Sequence, residues 1–360
     1  MRGIAVVDGS SEPRWAEMRE PGDPAAGEVL CRTLQLGICG TDREILAAAS
    51  PLVPPGDDHL VLGHECLARV EAVGEGVRKT TIGELVVPLI RRARGSSPRR
   101  IDLLPLSGYT ERGIVQEHGF SGGWWIEPEC RLLKIEPAMA DVAVLTEPMS
   151  VPEKACNEAF LLQQARLGSS AWIAPPPRVL VTGMGPIAFC GLLACLVRGW
   201  PATLYGLDAA DTTRAELARR FGAKYILASE TNFAPADVEA EGYDLVLECT
   251  GSEHVAVNSA GLLASCGVMV WLGSRRRREP QRLEVARMIR DGLVRNNIFL
   301  GSVNAAPRDF QQAIEHLRQL RATHLEALCD VMTDHVAKDE ALWHFNHHAP
   351  QGIKAVVRYD

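Results

Sequence analysis

The chain has 360 residues, 46% of them hydrophobic and 23% charged, with 38 Lys and Arg against 45 Asp and Glu and a net charge of −7. This composition predicts a soluble globular protein of about two domains, at ~150 residues each. The acidic total excludes a general polyanion binder, and no apolar run approaches the ~20 residues of a membrane span.

The N-terminal part reads as short strands broken by turn residues: 3–7, 28–38, 65–74, 84–90 and 122–128. Strands at such intervals predict a compact β-barrel or sandwich. From Asp141 to Gly168 the pattern is mainly helical, with Pro148 and Pro152 near its start. Buried strands and helices then alternate: strand 178–183, helix 186–199, strand 202–208, helix 213–223, strand 244–251, helix 253–265 and strand 267–273. That alternation predicts a parallel, doubly wound sheet. A strand at 297–304, a helix from Pro307 to about Leu320 and a strand at 353–359 complete the chain. The expected domains are 1–153, 154–298 and a return at 299–360, with a ligand between two lobes.

The N-terminus, MRGIAVVDGSSEPRW, follows a short apolar run with acids and does not read as a signal peptide. Ten cysteines occur, none in a CxxC pair. They are expected to be reduced, in a cytoplasmic protein.

Gly183-Met184-Gly185-Pro186-Ile187-Ala188 follows a buried strand and opens a helix. In that context the pattern predicts dinucleotide binding. Gly183 makes the turn, Gly185 admits the pyrophosphate, and Ala188 lets helix and strand pack closely. The helix N-terminus supplies N–H groups for phosphate. Asp208, 20 residues past Ala188, suits the ribose hydroxyls of NAD. Arg214 admits NADP, or is a solvated helix arginine. Thr250 and Gly251 fall at the C-terminal edge of the predicted sheet.

Cys39, His64, Glu65 and Glu147 together have the ligand types of a catalytic zinc site. With them in view, the segments 36–42 (LGICGTD), 62–77 (LGHECLARVEAVGEGV), 145–155 (LTEPMSVPEKA) and the GMGPIA turn resemble the zinc-dependent medium-chain dehydrogenase/reductase superfamily. YTERGI (109–114), HGF (118–120), GSVNA (301–305) and the ending PQGIKAVVRY (350–359) most resemble its glucose dehydrogenase branch. The resemblance implies an α/β protein: a GroES-like β-rich catalytic domain and a Rossmann-like cofactor domain. It implies one catalytic zinc on Cys39, His64 and either or both of Glu65 and Glu147. Thr41 matches the hydroxyl residue that relays the substrate proton, and Asp42 is placed to orient a ligand. Glu111 and Asn304 match positions that bind sugar hydroxyls, or are structural. Trp124 and Trp125 are expected to divide between core and cleft wall.

The expected reaction is hydride transfer between a hydroxyl-bearing carbon of a sugar, cyclitol or other polyol and NAD or NADP. The expected assembly is a homodimer or homotetramer through a sheet edge, with GVMVWLG (267–273) as the candidate strand. No nucleic acid or membrane partner is expected. One alternative is a zinc-free reductase of activated double bonds. Another is a nucleic-acid-binding protein that uses the runs Arg91–Arg100 and Arg275–Arg278.

The resemblance implies that most relatives carry, between the strand 84–90 and the YTERGI segment, four closely spaced cysteines that hold a structural zinc. No cysteine lies between Ile90 and Gly108, so no tetrathiolate site forms from that segment. The segment is expected to be mobile or held by ion pairs of its arginines.

Overall fold

A computed structural model of the protein describes residues 1–96, 100–230, 242–273 and 283–359. Ser97–Arg99 and the run Arg275–Arg278 lie outside these residues. The chain forms two compact units. The first comprises Met1–Glu147, Ala306–Arg321 and Met332–Asp360, and the second Pro148–Ala305 and Ala322–Val331.

The first unit is β-rich. Its main sheet has seven strands, with the long strand Glu28–Ile38 at its centre. This strand pairs antiparallel with Glu65–Val73, Trp124–Pro128 and Ala355–Arg358. Val29, Cys31, Leu36 and Ile38 of the central strand are buried among Leu62, Cys66, Phe120 and Trp125. Trp125 belongs to the core, packs at a tilt against Phe120 and donates from Nε1 to Thr33 Oγ1 at 3.0 Å, whereas Trp124 is exposed.

A smaller sheet joins Arg91–Ala93, Tyr109–Arg112 and Gln116–Glu117. The arginine run enters the structure here, with Arg91 buried and Arg94 exposed. Arg92 pairs with Glu117 and Glu127. Arg112 donates to Glu127 at 3.0 Å and to the carbonyls of His118 and Ile126. Arg131 donates to the Arg91 carbonyl at 3.1 Å, and Arg100 clamps Asp102 through both of its carboxylate oxygens. Glu127 and Asp102 have fully buried side chains. The described part of the segment is thus held by charge-assisted hydrogen bonds.

The second unit holds six parallel strands in the spatial order Lys224–Leu227, Ala202–Gly206, Val179–Thr182, Tyr243–Glu248, Leu263–Trp271 and Ile298–Gly301. Numbered along the chain this is 3-2-1-4-5-6, the order of a Rossmann fold. Val179–Thr182 lies inside the sheet, and the helix Pro186–Val197 that follows it is buried from Ala188 to Cys195. Thr212 and Ser252 cap the helices Thr213–Arg220 and Glu253–Ala260 by accepting from the N–H groups of Ala215 and Val255.

Three expectations need correction. Leu263–Ser265 begin a strand rather than ending a helix. The strand Ile298–Gly301 is the sixth of the parallel sheet, so the first unit resumes at Ala306 and not at residue 299. GVMVWLG is not a sheet edge, because Leu263–Trp271 is paired on both sides and Ile298–Gly301 forms the edge.

Candidate metal and cofactor sites

In the first unit, Cys39, His64 and Glu65 come together. Among the described residues they are the one group whose ligand atoms fit around a metal, all within 4.8 Å of one another. Cys39 has extended dihedrals and forms the N-cap of the helix Gly40–Ala48. His64 immediately precedes the strand Glu65–Val73, which Glu65 opens. Asp42 ties the two segments together: its Oδ2 accepts from Cys39 N at 2.9 Å and its Oδ1 from Gly63 N at 3.3 Å. Asp42 Oδ1 also lies 3.6 Å from His64 Nδ1, a buried atom with no hydrogen-bond partner. Burial alone would raise the Asp42 carboxyl. The His64 ring and the two backbone N–H groups outweigh burial and hold it below its ordinary value. The CGTD motif is therefore a capping device that also sets Asp42 beside the His64 ring.

Glu65 has a partner that the sequence reading missed. Lys354, 1% exposed, donates from Nζ to both Glu65 oxygens at 2.6 Å and to the Ile38 carbonyl at 3.3 Å. A lysine inside the apolar run IKAVV was the available signal. Gly37, opposite Glu65 in register, is needed for this contact, since an added Cβ would overlap Glu65 Oε2. Glu147 is buried but outside the three-residue cluster. Burial pushes its carboxyl up to about 7. His64 and Lys354 oppose that shift, and Glu65 and Glu111 reinforce it. Thr41 is half-buried in the first turn of the Cys39-capped helix. Glu111 is buried and faces Arg91 rather than Arg112, accepting from Arg91 Nε at 3.1 Å.

The donor set of thiolate, imidazole and carboxylate suits zinc, and His64 Nδ1 beside Asp42 has the arrangement of a ligand steadied from behind. The zinc-free reading has no use for such a cluster. Of the described arginines of the first run, Arg91 is buried and Arg92 is ion-paired inside, while Arg94 is exposed.

In the second unit, Gly183 has φ +106°, which favours glycine, and its added Cβ would crowd Thr250. Gly185 caps the next helix, with nothing within 4 Å of an added Cβ, so a ligand can approach the backbone there. Pro186 takes the first helical position and Ile187 is half-buried. The buried Glu248 is a second missed residue. Its carboxylate accepts from Thr250 N at 2.8 Å, Gly251 N at 3.3 Å and Thr182 Oγ1 at 3.3 Å, and it also pairs with the Thr250 hydroxyl. It fixes the Thr250–Gly251 loop at the C-terminal edge of the sheet. Asp208 accepts from Arg214 at 2.7 Å, so Arg214 is an ion-pair partner rather than a solvated helix arginine. Asn304 is buried in this unit with φ +56°.

The family described as Glucose dehydrogenase C-terminus matches residues 140–359, and the Alcohol dehydrogenase GroES-like domain matches residues 25–123. The chain belongs to the zinc-dependent medium-chain dehydrogenase/reductase family, in its glucose dehydrogenase branch. Among its relatives in this branch, the Glucose 1-dehydrogenase of Thermoproteus tenax is 36% identical over 323 residues, 89% of this chain and 88% of that protein. Glucose 1-dehydrogenase 1 of Caldivirga maquilingensis is 32% identical over 94% of this chain and 93% of that protein. Among solved structures, the Haloferax mediterranei glucose dehydrogenase in complex with NADP, Zn and gluconolactone superposes with a TM-score of 0.87. Its sequence is 28% identical, and the match covers 100% of this chain and 99% of that one.

Proposed function

We propose that this protein is a sugar dehydrogenase that moves hydride between a hydroxyl-bearing sugar carbon and a nicotinamide cofactor. It would carry one zinc, held by Cys39, His64 and Glu65, with Glu147 as the further carboxylate. The observation that carries the reading is the cluster of the half-buried Cys39 with the buried His64 and Glu65 in a chain of the glucose dehydrogenase branch. Zinc bound there supplies Lewis-acid stabilisation of charge on the reacting oxygen.

The chain's own residues do the rest. Asp42 orients His64, Lys354 holds the Glu65 carboxylate, and Thr41 relays the hydroxyl proton outward. Gly183–Ala188 seats the pyrophosphate, and Glu248 fixes the loop beside it. Glu111 and Asn304 bind sugar hydroxyls, and the substrate class extends to polyols and cyclitols. The test is turnover of aldoses, polyols and cyclitols with NAD and NADP, run with metal analysis at one zinc per chain. The ion-paired, cysteine-free segment that begins at Arg91 supports the absence of a second zinc.

The cofactor reading is NAD, with NADP admitted. Asp208 accepts the ribose hydroxyls, and Arg214 can turn from it to a 2′-phosphate. Asp208→Ala is expected to lower kcat/KM for NAD by about 10-fold, the scale of one hydrogen bond to a charged group, and to leave NADP no worse. Equal losses with both cofactors would count against this assignment.

The protein is proposed to be a cytoplasmic homodimer or homotetramer. No described helix is long and apolar enough to cross a membrane. The edge strand Ile298–Gly301 follows the helix Val285–Arg295, where Val285, Ile289 and Leu293 form an exposed apolar row at four-residue spacing. An open edge beside such a row suits a second copy of the chain. Ile289→Glu with Leu293→Glu should shift sedimentation toward a smaller species, and an unchanged oligomer would place the interface elsewhere.

A further inference from the structure

Arg91 is the most enclosed described cation of the arginine run, at 3% exposed. It stands opposite Glu111 in register, and its Nε donates to Glu111 Oε1 at 3.1 Å. Its Nη1 donates to the Asp102 carbonyl at 3.3 Å, and its guanidinium carbon lies 3.8 Å from the centre of the Tyr109 ring. Three contacts therefore fix the plane of the fork. Nη2 is buried and makes no hydrogen bond.

In a guanidinium, Nε–H and one Nη2–H leave the same edge. The unsatisfied donor is thus presented on the side where Glu111 sits. A buried donor of this kind calls for an acceptor. The turn after Glu111 is also packed against the metal-ligand segment: an added Cβ on Gly113 would lie 2.9 Å from the carbonyl oxygen of Gly63, the residue before His64.

We propose that Arg91 is a substrate-contacting, specificity-determining residue, whose Nη2 donates to the same sugar hydroxyl whose proton Glu111 accepts. A hydroxyl is both donor and acceptor, so an adjacent carboxylate and guanidinium match it at both ends. A carboxylate has about four acceptor positions, so the Arg91 bond does not exhaust Glu111. The two charges cancel, which favours a neutral hydroxyl over an anionic group. The inference rests on the sugar dehydrogenase reading. It goes beyond that reading by placing substrate recognition in the segment that holds cysteines in relatives.

The test uses the zinc-loaded, full-length protein. Steady-state kinetics are run with D-glucose, D-galactose and D-xylose and with their monodeoxy analogues, for wild type, Arg91→Met and Arg91→Lys. Calorimetric sugar binding, zinc content and melting temperature are measured on the same samples. On the parent sugar, Arg91→Met is expected to lose roughly 10-fold or more in kcat/KM, chiefly through KM. It should lose little on the one analogue that lacks the contacted hydroxyl. Arg91→Lys keeps the charge but offers one nitrogen in place of a fork, and should show the same selective loss. It decides the matter if Arg91→Met does not fold. Equal losses on parent and analogues, or none, would overturn this assignment alone. A wild type that turns over none of the sugars would overturn the sugar reading and this inference with it.

Discussion

Cys39→Ala is expected to bind no zinc and to lose about 10³-fold or more in turnover, with nicotinamide binding unchanged. Removal of the sulfur ligand leaves only His64 and Glu65 clustered, with Glu147 outside them, and takes away the one soft donor of a site that needs at least three well-placed protein ligands. The Lewis-acid contribution to charge stabilisation is several kcal/mol, and ~4 kcal/mol corresponds to about 10³ in rate. The cofactor turn at Gly183–Ala188 belongs to the other unit, so its phosphate-binding backbone is untouched. Asp42, which also caps the helix, still accepts from the residue 39 N–H in the variant, so the fold should survive. Metal analysis, turnover and calorimetric NAD and NADP binding separate the effects. Turnover at the wild-type level in a zinc-free variant would remove the metal from the mechanism.

The second large effect is on stability. Lys354→Met leaves the fully buried Glu65 carboxylate without its ammonium partner. Lys354 and Glu65 are 1% and 0% exposed, and Nζ reaches both oxygens at 2.6 Å. Breaking a buried pair from one side typically costs ~3–5 kcal/mol, because the remaining charge cannot be solvated. The melting temperature of the first unit should fall by several degrees. Glu65→Gln combined with Lys354→Met removes both charges and should recover part of the loss, so the two substitutions are not additive. If Lys354→Met melts like the wild type, the pair contributes little and Glu65 is held by other contacts.

What the sequence made legible was local. The central strand Glu28–Ile38 is legible as a short apolar run, and CGTD through its likeness to the family. The GMGPIA turn is recognisable because strand and helix flank it directly. What it hid was long-range or locally ambiguous. Lys354 and Glu65 are 289 positions apart, so nothing near either residue reveals their pairing. Arg91 and Glu111 meet only once two short strands are in register. The stretch GLLAS lacks β-branched residues and continues an apolar helix pattern, yet the chain turns at Gly261 and starts a strand at Leu263. That strand was expected at the edge because the helix Val285–Arg295 and the short strand Ile298–Gly301 after it had not been read as one further unit of the sheet. The arginines looked like a surface signal, although burial depends on the carboxylates that Glu117 and Glu127 bring from elsewhere.

The most direct test of the central claim is NAD(P)-coupled oxidation of D-glucose and related aldoses, before and after zinc is removed and restored. The account predicts turnover by the zinc-loaded protein, loss of turnover on chelation and recovery with zinc at one ion per chain. Full turnover after chelation, or none with any aldose when zinc is bound, would contradict it.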